Sequence, residues 1–237
     1  MELRDKIAVI TGASKGIGKA IAKTLAQQGC NVALNARNKE DLKAAEKEIS
    51  QAGVKVMTIA GDVRNSKDVE AMAKAIEREF GPATILVNNA GIGQFNEVAQ
   101  MSDEDFRAVL ETNLFGVFYC CRAFLPGMIQ KEQGHIINIA SLAGKNPFAG
   151  GSAYCASKAA LISFAECMML EVRHHNIKVT TICPGSVQTD FGSGEMNKKN
   201  WALTSEDCAT AVLDVLTTSQ GSLISMVDLR PLKPPKR

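Results

Sequence analysis

Short apolar runs alternate along this chain with longer stretches in which apolar residues return every three to four positions. The runs KIAVIT (6–11), NVALNA (31–36), VKVMTIAGDV (54–63) and TILVNNAG (84–91) show little polar alternation, so both faces of each predicted strand are expected to be covered. HIINIAS (135–141), KVTTICPG (178–185) and SLISMVDL (222–229) bring the number of strands to about seven. Between them, the stretches 18–29, 39–53, 66–81, 103–132, 151–175 and 205–219 predict helices. Gly53 and the Gly81–Pro82 pair read as helix stops, and Ser66 as an N-cap. Repeated β–α units with buried strands imply a parallel sheet with helices on both faces. Right-handed crossovers then make it a doubly wound α/β fold. No repeat, linker or change of composition divides the chain, so one domain is expected over 1–237. Residues 230–237 form a basic, Pro-rich tail, solvated or draped over an interface.

Composition narrows the function classes. Hydrophobic residues make up 46% and charged residues 22%, as in a soluble globular protein. Lysine and arginine number 27 against 25 aspartates and glutamates, a formal net charge of +2. That balance argues against a nucleic-acid or polybasic membrane partner. No run approaches the roughly 18 apolar residues of a membrane span, and MELRDKIAVITG has no signal core, so a cytoplasmic location is expected. The seven cysteines are odd in number and form no CxxC pair, which reads as reduced, mostly buried thiols. His174 and His175 fall near a helix end, where they complement its dipole. No spacing suggests a metal site or a Ser-His-Asp arrangement.

Candidate chemistry begins at TGASKGIG, which joins the first strand to the first helix through Gly12, Gly16 and Gly18. Glycines let a backbone turn sharply and approach a pyrophosphate, and the helix N-terminus offers unpaired N–H groups to it. This is where a Rossmann fold binds a dinucleotide, although the spacing is GxxxGxG rather than GxGxxG. At the end of the second strand a carboxylate would select NAD, but NVALNARN carries Arg37, and Lys15 lies in the turn. Two cations suit a 2′-phosphate, so the expected cofactor is NADP(H). Asp62 with Val63 either caps a turn or meets an adenine ring, and the residues leave both readings open.

Tyr154 and Lys158 stand at i and i+4 on a predicted helix and share a face. A nearby ammonium favours a phenolate, so Lys158 is expected to lower the phenol's pKa and fit Tyr154 for proton transfer to a carbonyl. Alone, the pattern is mostly structural. Ser141, after a strand at its carboxyl end, could hold the reacting oxygen beside Tyr154. Asn113 sits inside a predicted helix that it suits poorly, which suggests an irregularity or a buried water site supporting a relay.

The pieces TGASKGIG, GDV, NNAG, TNLFG, INIASLAG, YCASK and PGSVQTD occur together in this order. From residue 5 to about 190 the chain resembles the short-chain dehydrogenase/reductase family, in its NADP-preferring branch and similar to 3-oxoacyl carrier-protein reductases. The resemblance implies a Ser141–Tyr154–Lys158 triad with Asn113 as fourth member. Tyr154 would be the general acid/base, Lys158 would bind the nicotinamide ribose, Ser141 would orient substrate, and Asn113 would hold a water. It also implies that Ser14 and Ile17 join the phosphate turn and that Asn89, Ala90 and Gly91 line the adenosine-side ribose. Pro184, Gly185, Val187 and Thr189 would flank the nicotinamide. The implied activity is reversible NADPH-dependent reduction of a ketone or aldehyde, a 3-oxoacyl thioester being the first specific candidate. A nucleotide-binding regulator with little catalysis is the alternative.

Two regions depart from the family pattern. The substrate-covering segment is short, GSGEMNKKNWAL, and suggests an open pocket with Leu142, Phe148, Phe191 and Trp201 as candidate walls; Trp201 could equally pack that segment down. The C-terminus lacks the Gly-Gly turn that packs across a tetramer axis in many relatives. The apolar helices around 106–124 and 156–170 resemble the family's dimer surface, so a homodimer is expected, with a tetramer as the alternative.

Overall fold

The computed structural model describes residues 2–189, 191 and 200–234. Seven parallel strands form one sheet in the order β3-β2-β1-β4-β5-β6-β7. They are β1 (Ile7–Thr11), β2 (Asn31–Ala36), β3 (Val56–Ala60), β4 (Ile85–Asn88), β5 (Gly134–Ile139), β6 (Ile177–Pro184) and β7 (Met226–Leu229). The helices are α1 (Gly16–Gln27), α2 (Lys39–Ile49), α3 (Ser66–Phe80), α4 (Asp103–Leu110), α5 (Gly116–Gln130), α6 (Ser152–Val172) and α7 (Ser205–Thr217). This is the doubly wound, Rossmann-type α/β fold expected from the apolar pattern.

Strand side chains point alternately to the two faces, and each face has its own core. Ile10, Leu34 and Val87 pack with Ile21 and Leu25 of α1, Leu42 of α2 and Val212 of α7. Val9, Ala33 and Leu86 point the other way, toward Met72 of α3, Cys120 and Phe124 of α5 and Leu161 of α6. A residue such as Ile10, fully buried, contributes about 1.5–3 kcal/mol of transfer free energy. The chain reverses strand order between β1, which also pairs with β2, and β4. The carboxyl ends of these strands therefore open a crevice, where ligands of such sheets bind.

Two local features differ from expectation, and a third gives form to the irregularity suggested at Asn113. The N-cap of α3 is Asn65, whose side chain accepts from the Lys67 N–H; Ser66 is already the first helical residue. The long helix within 103–132 is interrupted by a π-helical turn, Glu111–Phe115, centred on Asn113. Asp103–Gln130 taken together is long and apolar enough to cross a membrane by length and composition, which the run-by-run reading missed. Its α5 part is a sheet-packed core helix, with Val117, Cys120, Cys121, Phe124 and Met128 buried. The basic tail is described only as far as residue 234, where Arg230 pairs with Asp228 at 3.6 Å.

Candidate active site

The glycine turn is built for close approach. Gly12 (φ 63°) and Gly16 (φ 55°) occupy the left-handed region that favours glycine. At Gly18 a Cβ would overlap the Gly12 carbonyl and the Asn89 side chain, so the helix can pack this tightly only with glycine there. Thr11 Oγ1 accepts from the N–H groups of Asn89 and Ala90, both at 3.0 Å. Asn89 Nδ2 donates back to the Thr11 carbonyl at 3.0 Å and the Gly12 carbonyl at 3.1 Å. These bonds stitch the end of β4 to the turn without any ligand. Lys15 is the N-cap of α1 and its side chain makes no capping bond, so the first-turn N–H groups remain for an anionic acceptor. Thr189 lies over the turn, its Cγ2 3.5 Å from where a Gly16 Cβ would be. Ser14 is half-buried in the turn, and Ile17 packs on the core beneath it. The turn thus fits a pyrophosphate group.

Lys15 and Arg37 are both exposed, and among the described residues neither enters an ion pair. Asp62 acts as a turn cap: its Oδ1 accepts from the Arg64 N–H at 3.0 Å, and its Oδ2 pairs with the Arg64 guanidinium at 2.6 Å. Burial works against the carboxylate, but hydrogen bonds from Arg64, helped by the charges of Arg64 and Arg37, hold its pKa below the usual value. Val63 is buried against Gly116, at the start of α5.

Ser141, Tyr154 and Lys158 meet at the carboxyl end of β5. Ser141 follows that strand and caps a single 3₁₀ turn (Leu142–Gly144), its Oγ accepting from the Ala143 N–H at 3.1 Å. The same hydroxyl lies 3.5 Å from the Pro184 carbonyl of β6 and forms a side-chain hydrogen bond with Tyr154. Lys158, only 4% exposed, donates to the Ile139 carbonyl at 2.8 Å, and its Nζ lies 5.8 Å from the centroid of the Tyr154 ring.

The electrostatics correct one expectation. Burial pushes the Tyr154 phenol up to about 12, with the Ser141 hydrogen bond opposing it; the ammonium does not lower it. Burial also pulls the Lys158 ammonium down to about 8. Desolvation outweighs the pair's attraction because Nζ is turned to the Ile139 carbonyl rather than to the phenol oxygen.

The π turn explains Asn113. Its fully buried side chain accepts from the Ile92 N–H at 2.9 Å and donates to the Ile92 carbonyl at 2.9 Å. It also donates to Ser157 Oγ at 3.0 Å, and that hydroxyl donates to the Tyr154 carbonyl at 2.7 Å. Asn113 therefore fastens the loop after β4 to α6. Ser157, inside YCASK, was not singled out from the sequence; its position one residue before Lys158, on the buried side of α6, was the available signal. Gly91 lies beside this knot, since a Cβ there would stand 3.2 Å from Asn113 Oδ1 and 3.6 Å from Lys158 Nζ. Gly91 thus sits beside Asn113 and Lys158.

Of the four expected pocket walls, Phe191 stands against Tyr154 and Phe148 joins it through Phe95. Phe191 is 5.5 Å from the Tyr154 ring, and Phe148 is 5.9 Å from Phe95, itself 5.7 Å from Tyr154. Sequence reading overlooked Phe95, which lies in a polar loop with no periodic signal. Leu142 is half-buried against Gly185. Gly185 in turn is held by its N–H to the Leu229 carbonyl at 2.8 Å. Trp201 lines a separate cavity with α7 and the start of the tail, consistent with the packing alternative. Val187 and Leu203 form an isolated bridge below it. The rest of the short segment, 192–199, lies outside the described residues.

The crevice thus has a glycine turn at one end and a buried Tyr–Lys–Ser group at the other, and the fold is that of nicotinamide-dependent oxidoreductases acting on CH–OH or C=O groups. The chain belongs to the short-chain dehydrogenase family, whose family model matches residues 6–200. It is 42% identical over 191 residues to 3-oxoacyl-[acyl-carrier-protein] reductase FabG of Vibrio cholerae serotype O1, covering 81% of this chain and 77% of that protein. A metagenomic short-chain oxidoreductase solved in complex with NADP is 38% identical, with a TM-score of 0.88 over 99% of this chain and all of that one. An alcohol dehydrogenase from the archaeon Thermococcus sibiricus, complexed with 5-hydroxy-NADP, is 31% identical, with a TM-score of 0.92 over 98% of this chain and 99% of that one.

Proposed function

We propose that this protein is an NADPH-dependent carbonyl reductase whose acid is Tyr154. The observation that carries the reading is the buried Tyr154–Ser141–Lys158 group beside a preformed glycine turn. When bound, the cofactor supplies the hydride that reaches the carbonyl carbon. Gly12, Gly16, Gly18 and Ser14 would hold its pyrophosphate, and Thr189 with Pro184 and Val187 its nicotinamide half. Lys15 and Arg37 would take the 2′-phosphate, since both are exposed and no carboxylate ends β2. The solved relatives bound to NADP and 5-hydroxy-NADP support that preference.

The chain's own part is proton management. A phenol held near 12 keeps its proton at neutral pH, as an acid waiting for a carbonyl oxygen must. Ser141 Oγ orients that oxygen beside the phenol, and Lys158 would hold the ribose of the nicotinamide half. Asn113 and Ser157 hold α6 against the loop after β4, so that Tyr154 does not shift. By resemblance to the FabG protein, 3-oxoacyl thioesters enter the substrate panel. The free thiols of all seven cysteines support a reducing cytoplasm as the setting.

The test is absorbance-monitored oxidation of NADPH and NADH against carbonyls that include an acetoacetyl thioester. NADPH turnover is expected, with kcat reduced about 10²–10⁴-fold in Tyr154→Phe. Tight nucleotide binding with no turnover on any carbonyl would instead support a binding protein.

A further inference from the structure

Three loops at the carboxyl ends of β4, β5 and β6 each contribute one phenylalanine to a ring cluster at Tyr154: Phe95 and Phe191 pair with Tyr154 itself, and Phe148 packs on Phe95. Phe95 comes from the first, Phe148 from the second and Phe191 from the third. Their ring centroids stand 5.5 to 5.9 Å from a neighbour in the group, the range of favourable aromatic pairing. Phe95 is 46% exposed, Phe148 48% and Phe191 45%. Three half-exposed phenylalanines around one phenol are unusual for a surface that meets only water, because each could lower its free energy by being covered.

Two of the three loops are tied to each other before any substrate arrives. The Asn96 N–H donates to the Gly150 carbonyl at 2.9 Å, tying the first loop to the second. A Cβ at Gly93 would lie 2.7 Å from Phe95 and 2.8 Å from Phe191, and one at Gly151 would lie 2.6 Å from Phe148. The two glycines therefore let the rings lie flat on backbone. Charge is kept out: Lys145, the cation of the second loop, is turned away into a 2.6 Å pair with Asp228.

We infer that the phenylalanine box selects carbonyl compounds whose C=O is attached to an aromatic ring or a similarly flat apolar ring system, in preference to polar or short aliphatic carbonyls. This rests on the carbonyl-reductase reading above and names its substrate class. The ring of the substrate enters among Phe95, Phe148 and Phe191 while its carbonyl oxygen meets Tyr154 and Ser141. Reduction adds a hydride from NADPH, which becomes NADP⁺, to the carbonyl carbon and the Tyr154 proton to the oxygen. The product is an aryl carbinol, and solvent returns the proton to Tyr154.

A matched pair of diketones tests this: 1-phenyl-1,2-propanedione against 2,3-butanedione, which differ by phenyl for methyl at the same reacting group. An acetoacetyl thioester serves as the aliphatic acyl comparator. The parent is expected to favour the phenyl compound at least tenfold in kcat/KM, through KM more than through kcat. In Phe95→Ala and Phe148→Ala that ratio should fall at least fivefold, and Phe95→Leu should restore part of it. Equal kcat/KM for the pair, or a ratio untouched by both alanine variants, overturns the box while leaving the reductase standing. If no carbonyl is turned over, binding of the phenyl diketone, read from the fluorescence of enzyme-bound NADPH, separates the two readings. Binding weakened by Phe148→Ala would keep the box and sink the reductase, and no binding would sink both.

Discussion

Lys158 is a buried cation that donates to the Ile139 carbonyl, and its low pKa makes its charge conditional. Below about 8 the ammonium is present and can hold the cofactor's ribose; as pH rises through about 8 the charge is lost. Carbonyl reduction should therefore fall on the alkaline side with an apparent pKa near 8, and Lys158→Met should show a low rate without that limb; pH–rate profiles of both proteins check this. Arg37→Ala should lower the NADPH-over-NADH preference by about tenfold or more, read as the ratio of kcat/KM values, because an exposed cation facing a phosphate contributes mainly to that phosphate. The tyrosine, lysine and serine were legible because helical spacing and strand-end position constrain them. Ser157 and Phe95 were not: a hydroxyl acting through a neighbour and a ring in a loop leave no periodic trace. The pKa of Tyr154 was misread because the direction of the Lys158 side chain, set by the Ile139 carbonyl, is a tertiary fact.

The elements show what packing adds to pattern. Four strands were read to within two residues, since a parallel sheet covered on both faces leaves uninterrupted apolar runs, while the readings 54–63, 84–91 and 222–229 ran up to four residues beyond β3, β4 and β7. The π turn was legible only as a misfit at Asn113. Its cause is the closure of that amide on Ile92 and Ser157, residues 21 and 44 positions away. Asn113→Ala should cost about 1–3 kcal/mol in urea unfolding, because it strands buried backbone groups of Ile92. It should also lower kcat, because the loop after β4 is released from α6. In β5, His135 Nε2 lies 2.8 Å from Thr180 Oγ1, and that hydroxyl donates to the Ile224 carbonyl at 2.7 Å. The hydroxyl's one proton is thus committed, so the histidine is the donor and is neutral at Nδ1. Burial, with smaller contributions from the charges of Lys178 and the N-terminus, holds its pKa at about 3. The unfolded chain binds that proton first, so this contribution is complete above about pH 6.5 and is lost progressively as pH falls toward 3. At pH 4 the parent should have lost about 3 kcal/mol more than His135→Gln, by urea titrations at pH 7 and pH 4.

At the scale of the molecule, the large exposed apolar side chains outside the phenylalanine box include a group on the face of α5 and α6. Phe115 is 48% exposed, and Phe118, Phe164 and Leu170 lie on the same pair of helices. We expect a homodimer through that face, and Phe118→Glu should convert it to monomer in sedimentation velocity. Layer order was readable from the alternation of elements. The apolar face of α5 and α6 was readable only as helices too apolar for one side, since α6 is buried against both sheet and neighbours.

The strand order carries a consequence for synthesis. β1 leaves the ribosome well before its partner β4, yet Ala8 pairs with Ile85, and Thr84 Oγ1 donates to the Ile7 carbonyl 77 positions away in the chain. At about 5–20 residues per second, the nascent chain spends about 4–15 s with one edge of its central strand uncovered. β2 and β3 can dock on the other edge in that interval, so the half of the sheet bearing the glycine turn assembles before the half bearing Tyr154 exists. The tyrosine is added to a partly built crevice, and a ribosome paused before residue 88 holds a half-sheet whose open edge is the place where a chaperone is needed.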